Sequence, residues 1–181
     1  MNAKNGKLCP MMQLRKGTIR GVRVYFDNAA TTPVDKRVAE SIFPYLKDKF
    51  GNPSSVHWYG RESKVMIEDA RDIAADYLGC KSKEIFFTSC GTESNNTAIK
   101  GIAFANIGNG KNHIITSTVE HPSVMETIIY LKDKFGFEIT LLKPDSKGRI
   151  NPENVRNAIK PETLLISIMH SNNELGTIND I

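Results

Sequence analysis

The sequence lacks several features that would narrow its function at once. Its 181 residues contain no run of about 20 apolar residues, the length that a helix needs to cross a bilayer, so we expect no membrane segment. It has only three cysteines, Cys9, Cys80 and Cys90, and no pair of them has C-x-x-C spacing. This pattern favours a reducing, cytoplasmic environment over a disulfide framework, and it indicates no zinc site.

A net positive charge is also absent outside the first residues. The net charge of +4 depends on residues 1–23, which hold six basic residues and no acidic one, whereas residues 24–181 hold 18 basic and 20 acidic residues. A nucleic-acid-binding surface needs clustered positive charge on the folded domain, so we expect no nucleic-acid partner. We interpret residues 1–23 as a disordered basic tail. The alternative is a targeting peptide, but the segment lacks the apolar core and the serine content of one.

Short apolar runs alternate with segments of helical periodicity from Val22 onward. The pattern predicts strands at 22–26, 84–89, 113–118, 137–142 and 163–170. It predicts helices after Pro33 and at 62–78, 93–106, 122–135 and 151–159. Such alternation is typical of an α/β fold with right-handed crossovers, in which a mostly parallel sheet is flanked by helices in three layers.

Polar residues cluster where three of the predicted strands end, at 88–93, 118–121 and 170–174. Ligands of parallel α/β sheets bind outside the carboxyl ends of the strands, so these segments predict a site. In the first segment, Gly91 allows a tight turn or a close backbone approach, and Thr92 adds a hydroxyl at the start of a helix. This arrangement predicts an anion-binding cradle suited to phosphate, but it is also explained by ordinary helix capping.

Three further residues have both a chemical and a structural interpretation. His121 lies between a strand and a helix, where an imidazole could transfer protons, stack on a flat ligand or simply be solvated. Asn173 lies in a polar turn whose amides could bind a ligand oxygen or only close the turn. Cys90 adjoins the cradle and could be a reactive thiol, but we expect it to be a small packed hydrophobe.

Five segments occur together in a family-specific order and spacing: "VYFDNAATTPVDKRV", "GNPSSVH", "FFTSCGTESNN", "IITSTVEHPSV" and "SIMHSNNELGTIND". In this respect residues 24–181 resemble the NifS/IscS-type cysteine desulfurases. These are pyridoxal-phosphate-dependent enzymes of the class V aminotransferase family, with fold type I. The resemblance implies that Gly91 and Thr92 bind the phosphate of pyridoxal 5′-phosphate. It also implies that His121 stacks on the cofactor ring and takes part in proton transfer, and that Asn173 contacts the ring.

The resemblance implies an activity as well. Family members convert L-cysteine to L-alanine, take the sulfur as a persulfide on an enzyme cysteine, and deliver it to an iron–sulfur scaffold or another acceptor. They are normally homodimers. Two alternatives remain open at this point. One is a sister activity such as selenocysteine lyase or another class V aminotransferase-like enzyme, and the other is a non-catalytic remnant that modulates a full-length desulfurase by dimerising with it.

The chain departs from the family in one respect. By the resemblance, the cofactor-linking lysine and the sulfur-accepting cysteine lie beyond Ile181, and Lys100, Lys111 and Cys90 do not match their context. We therefore expect residues 24–181 to be a truncated, N-terminal part of the cofactor-binding large domain. We also expect the 181 residues to be inactive by themselves.

Overall fold

The computed structural model describes Thr18–Ile19 and residues 22–181. The chain divides into two units, and the boundary in the sequence lies between Gly51 and Asn52. The helices are Lys36–Lys47 (α1), Trp58–Leu78 (α2), Gly91–Ala105 (α3), Pro122–Phe135 (α4) and Pro152–Ala158 (α5). The strands are Thr18–Ile19 (β1), Val22–Arg23 (β2), His113–Ser117 (β3), Glu138–Leu142 (β4) and Thr163–Ser167 (β5). Within the described residues, no helix is long and apolar enough to cross a membrane.

The first unit contains a two-stranded antiparallel hairpin, β1–β2, and helix α1. α1 begins where the Asp35 carboxylate accepts a hydrogen bond from the Arg37 N–H at 2.8 Å, which satisfies one of the free amides of the first turn. Of the strand predicted at 22–26, only the first two residues, β2, are paired in the structure. Most of the predicted basic tail, 1–23, lies outside the described residues, so its disorder stays a prediction.

The second unit is built on a parallel sheet with strand order β4-β3-β5. The chain steps from β3 outward to β4 and then returns across β3 to β5. Because parallel crossovers are right-handed, this reversal places α4 and α5 on opposite faces of the sheet. The predicted α/β fold, with a parallel sheet between helices, is confirmed.

The core lies between β3 and the helix pair α3–α4. Ile114, the second residue of β3, packs into this layer and is fully buried, which contributes about 1.5–3 kcal/mol relative to an exposed side chain. The buried cluster around it comes from α3, α4 and the turn before β4: Ile99, Ala103, Val124, Ile128, Leu131 and Phe137. This packing aligns α3 with α4, so the two helices begin at the same edge of the sheet.

One predicted strand, 84–89, is wrong. Ser82–Glu84 form a 3-10 turn, and the extended residues that follow pair with no strand among the described residues. A strand needs a neighbouring backbone for its hydrogen bonds, and here the Ile85 carbonyl instead accepts from the Arg71 side chain. Phe86 is 77% exposed, so the apolar run predicted the extended conformation but not its burial.

The remaining helix and strand limits agree with the predictions to within a few residues. α2 starts at Trp58, four residues before the predicted limit, because the His57 ring accepts from the Gly60 N–H and caps the helix. β5 ends at Ser167, three residues early. There the Met169 N–H donates to the Glu120 carboxylate at 2.9 Å instead of continuing the ladder.

A buried histidine joins the three strands of the parallel sheet. His113 opens β3, is fully buried, and has Nδ1 2.8 Å from the Thr163 hydroxyl on β5 and Nε2 2.8 Å from the Thr140 hydroxyl on β4. Burial lowers the pKa of His113, as does the positive charge of Lys160, against the opposing effect of two nearby glutamates. Folding therefore favours the neutral form of this imidazole.

We expect this histidine to make folding stability depend on pH. Its pKa is lower in the folded than in the unfolded chain, so the unfolded chain binds more protons. The free energy of unfolding therefore falls as the pH drops below about 6.5, the ordinary pKa of histidine. The melting temperature of the chain should fall between about pH 7.5 and about pH 5.5. His113→Gln should flatten this dependence, whereas His170→Gln, at an exposed position, should retain it. Equal slopes in the two variants would contradict this assignment.

Candidate functional site

Two clefts meet at the carboxyl end of the parallel sheet. The first, the α3–α4 cleft, has a volume of about 430 Å³ and is lined by residues that include Thr92 and His121. The second, the loop cleft, has a volume of about 250 Å³ and lies between the β3–α4 loop and residues 172–175. His121 and Asn173 both line it. Three of the four predicted site residues are thus brought together, with His121 shared by the two clefts.

The fourth predicted residue, Gly91, is the first residue of α3. The first hydrogen bond of this helix runs from the Ser94 N–H to the Cys90 carbonyl at 3.1 Å, so the amides of residues 91–93 have no carbonyl acceptor within the helix. Free amides and the positive end of the helix dipole favour an anion at this position. The Thr92 hydroxyl at the edge of the α3–α4 cleft adds a further donor.

Gly91 does not have the left-handed backbone conformation that glycine permits in tight turns. It is not among the glycines with positive φ, and an added Cβ atom would meet nothing within 4 Å. Among the described residues, the fold therefore neither requires a positive φ at this position nor excludes a side chain there.

Glu93 lies in the first turn of α3 and would repel an anion if its carboxylate pointed at the cradle. Instead the carboxylate accepts from the Ser89 N–H at 2.7 Å and from the Ser89 hydroxyl at 2.6 Å. The Ser89 hydroxyl, followed by the Ser89 N–H, lowers the pKa of Glu93. These two hydrogen bonds fix the carboxylate on the residues before the helix.

Cys90 is not the packed hydrophobe that the sequence led us to expect. It is exposed and occupies the N-cap position of α3, because the strand predicted before it is unpaired and does not bury it. The Glu93 N–H most strongly, and then the Ser89 hydroxyl, lower the pKa of the Cys90 thiol, although the Glu93 charge opposes them. The thiol thus uses the amides that an anion would use.

His121 is the N-cap residue of α4, with Pro122 in the first turn. Its Nδ1 accepts from the Ser123 N–H at 3.1 Å and lies 2.8 Å from the Ser123 hydroxyl. Its Nε2 makes no hydrogen bond to any residue that the structure describes. The ring is exposed, so it is oriented by the helix start rather than by burial.

Asn172 and Asn173 are adjacent in sequence but differ in environment. Asn172 is buried: its side-chain oxygen accepts from the Glu174 and Leu175 amides, and its side-chain nitrogen donates to the Val119 carbonyl at 3.0 Å. It therefore fixes the loop against the β3–α4 connection. Asn173 is exposed and lines the loop cleft, where its amide can contact a ligand.

Sequence reasoning missed Glu120 as a residue that organises the site. Its carboxylate accepts from the Ser117 hydroxyl at 2.6 Å and from the Met169 N–H at 2.9 Å. It thereby connects the end of β3 with the end of β5. The only sequence signal was an acidic residue directly before His121, and its partner at residue 169 is visible only in the folded chain.

The arrangement as a whole fits a flat, phosphorylated ligand. It has amides without a helical acceptor at the start of α3, a hydroxyl beside them, an imidazole between two clefts and an amide across the loop cleft. The α3–α4 cleft alone has the volume of an ordinary small-molecule site. Such donors would suit the phosphate and the ring of pyridoxal 5′-phosphate, the cofactor that the resemblance implies.

Comparisons with known proteins identify the family of this chain. The family model described as aminotransferase class-V matches residues 24–181. The cysteine desulfurase IscS of Dictyoglomus turgidum is 56% identical over 158 residues, which are 87% of this chain and 40% of that protein. Thus the chain spans about 40% of the length of this curated relative.

Solved structures give the same result. A NifS-like protein matches with a TM-score of 0.83 and 44% identity, over 87% of this chain and 43% of its own. SspA in complex with cysteine matches with a TM-score of 0.80 and 47% identity, over 86% of this chain and 44% of its own. The resemblance to NifS/IscS-type proteins is confirmed, and the chain belongs to the aminotransferase class-V family.

Proposed function

We propose that this chain carries the phosphate-binding and ring-binding part of a pyridoxal-phosphate-dependent cysteine desulfurase. The observation that carries the proposal is the position of His121, which lines both the cleft that contains Thr92 and the cleft that contains Asn173. A ligand with its phosphate at α3 and its ring beside His121 would use both clefts. The class V family and the names of the relatives support the choice of cofactor and reaction.

Each residue has a distinct task in this proposal. The amides at the start of α3 and the Thr92 hydroxyl hold the phosphate, where the helix dipole offsets its charge. His121 presents its ring face to a planar ligand and its Nε2 to a proton donor or acceptor. Asn173 orients the ring from the other side. When bound, pyridoxal phosphate supplies an electron sink for chemistry at the α-carbon of an amino acid.

The substrate in this proposal is L-cysteine, and the products are L-alanine and a sulfur atom passed to an iron–sulfur scaffold or another acceptor. Support comes from the desulfurase name of the IscS relative and from the cysteine complex of SspA. We propose a homodimer as the functional form, as in the family. Because the chain spans about 40% of the relative, the whole activity belongs to a larger set of residues than these.

Replacing the threonine of the cradle tests the phosphate site. We expect Thr92→Val to weaken binding of pyridoxal phosphate about tenfold or more, since a hydrogen bond to a charged phosphate is lost. Binding is measured by equilibrium dialysis of the chain against the cofactor. Thr97→Val is the matched control, because this exposed threonine lies further along α3 and does not line the α3–α4 cleft. Equal affinity in Thr92→Val and wild type would refute the phosphate assignment.

The thiol of Cys90 gives a second, independent readout of the same site. Its lowered pKa predicts faster alkylation by iodoacetamide than at Cys80, which is also exposed. We expect inorganic phosphate and pyridoxal phosphate to slow the reaction at Cys90 and leave Cys80 unchanged, because the anion occupies the amides beside Cys90. Peptide mass spectrometry follows both sites in one sample. Protection of both cysteines, or of neither, would count against a cradle at α3.

The positions of the described lysines predict that the chain does not turn over cysteine by itself. Lys100 lines the α3–α4 cleft, but its Nζ lies over the Tyr130 ring, 4.8 Å from the ring centroid. Lys111 donates to the Pro161 carbonyl, and no described lysine lines the loop cleft. The purified chain with pyridoxal phosphate and L-cysteine should therefore release no alanine above a protein-free control. Alanine release that requires the chain would show that these residues suffice.

A further inference from the structure

The hydrogen bonds at His121 determine which ring nitrogen carries the proton. A backbone N–H can only donate, and the Ser123 N–H points at Nδ1 of His121 at 3.1 Å. Nδ1 must therefore be the unprotonated, accepting nitrogen. In the neutral ring the proton then lies on Nε2.

A second hydrogen bond reinforces this choice from the neighbouring helix. The Ser123 hydroxyl lies 2.8 Å from Nδ1, and the Asn95 side-chain N–H of α3 donates to the same hydroxyl oxygen at 2.8 Å. Because Asn95 supplies a proton to the oxygen, the single hydroxyl proton of Ser123 is directed at Nδ1. Ser123 is buried at 8% exposure, so this donor is held in place by packing.

We propose that Asn95 and Ser123 are positioning residues that hold His121 as the Nε2–H tautomer. This inference rests on the proposed role of His121 in ring stacking and proton transfer. It adds to that role that Nε2 is the nitrogen that contacts the ligand, because Nδ1 accepts the hydrogen bond of the Ser123 N–H at the start of α4. Neither Asn95 nor Ser123 touches reacting atoms in this scheme.

Charged groups around the ring do not replace these two residues. Lys100 and Glu126 line the α3–α4 cleft, and Glu120 and Glu174 line the loop cleft. Glu120 is already bonded to the Ser117 hydroxyl and the Met169 N–H. Among the described residues, the hydrogen bonds to Nδ1 come from Ser123 alone.

Asn95→Asp should reverse the direction of the chain of hydrogen bonds. A carboxylate accepts the Ser123 hydroxyl proton, which leaves a lone pair of that oxygen facing Nδ1 and favours a proton on Nδ1. Asn96→Asp is the matched control. Asn96 is the next residue of α3 and gains the same charge, but its side chain donates to the Thr92 carbonyl at 3.0 Å rather than to Ser123.

The test is ring ¹H–¹⁵N correlation NMR of the chain labelled with ¹⁵N-histidine, without cofactor, at an alkaline pH where histidines are neutral. His121→Gln assigns the signals. We expect wild type to show a protonated Nε2 and an unprotonated Nδ1. Asn95→Asp should shift the Nδ1–H to Nε2–H ratio upward by about three- to tenfold, the effect of one hydrogen bond, and Asn96→Asp should not.

Two results would overturn the inference: a protonated Nδ1 in wild type, or equal shifts in Asn95→Asp and Asn96→Asp, which would indicate a charge effect. Ser123→Ala provides a second variant, because it removes the hydroxyl donor but keeps the backbone N–H. It should raise the Nδ1–H share, and no change would also argue against the hydroxyl. The readout needs no cofactor, so failure of pyridoxal phosphate to bind would refute the proposed function without altering this result.

Discussion

The parallel pairing of β3 with both β4 and β5 is the constraint on which the candidate site depends. Parallel strands end at the same edge of a sheet, so the loops after β3 and β5 emerge side by side. The core around Ile114 then packs α3 against α4 and makes both helices begin at that edge. Thr92, His121 and Asn173 are far apart in sequence, and without this pairing they would be far apart in space as well.

Backbone pairing alone does not determine how the loops approach each other, and two buried or half-buried polar side chains complete the arrangement. Glu120 connects the ends of β3 and β5, and Asn172 connects the loop after β5 to the Val119 carbonyl. Each satisfies several donors or acceptors that would otherwise be costly to bury. The residues that position the loops, Glu120 and Asn172, are therefore different from the residue that the loop exposes to a ligand, Asn173.

Much of the fold could be predicted from the sequence because its signals are local. Pro122 after His121 predicts the start of α4, and the two agree to the residue, since proline favours the first helical turn. The strand at 84–89 could not be excluded in the same way. Its apolar residues fit a strand, but a strand forms only where another backbone is available, and residue type does not reveal that. The same limit applies to Cys90, whose expected burial depended on that strand.

The site residues divide along the same line. Thr92, His121 and Asn173 follow segments that the sequence predicts as strands, so they could be proposed from order along the chain, although the segment before Thr92 is unpaired. Ser123 and Asn95 lie 28 residues apart, and only their contact in the folded chain connects them to the site. Through Ser123, that contact reaches the His121 ring, whose two nitrogens have different tasks. Nδ1 of His121 caps α4, which makes a helix start possible, and this leaves Nε2 as the nitrogen available for chemistry. A histidine at an N-cap is thus selective in which nitrogen it offers to a ligand, because the helix amide has already taken the other.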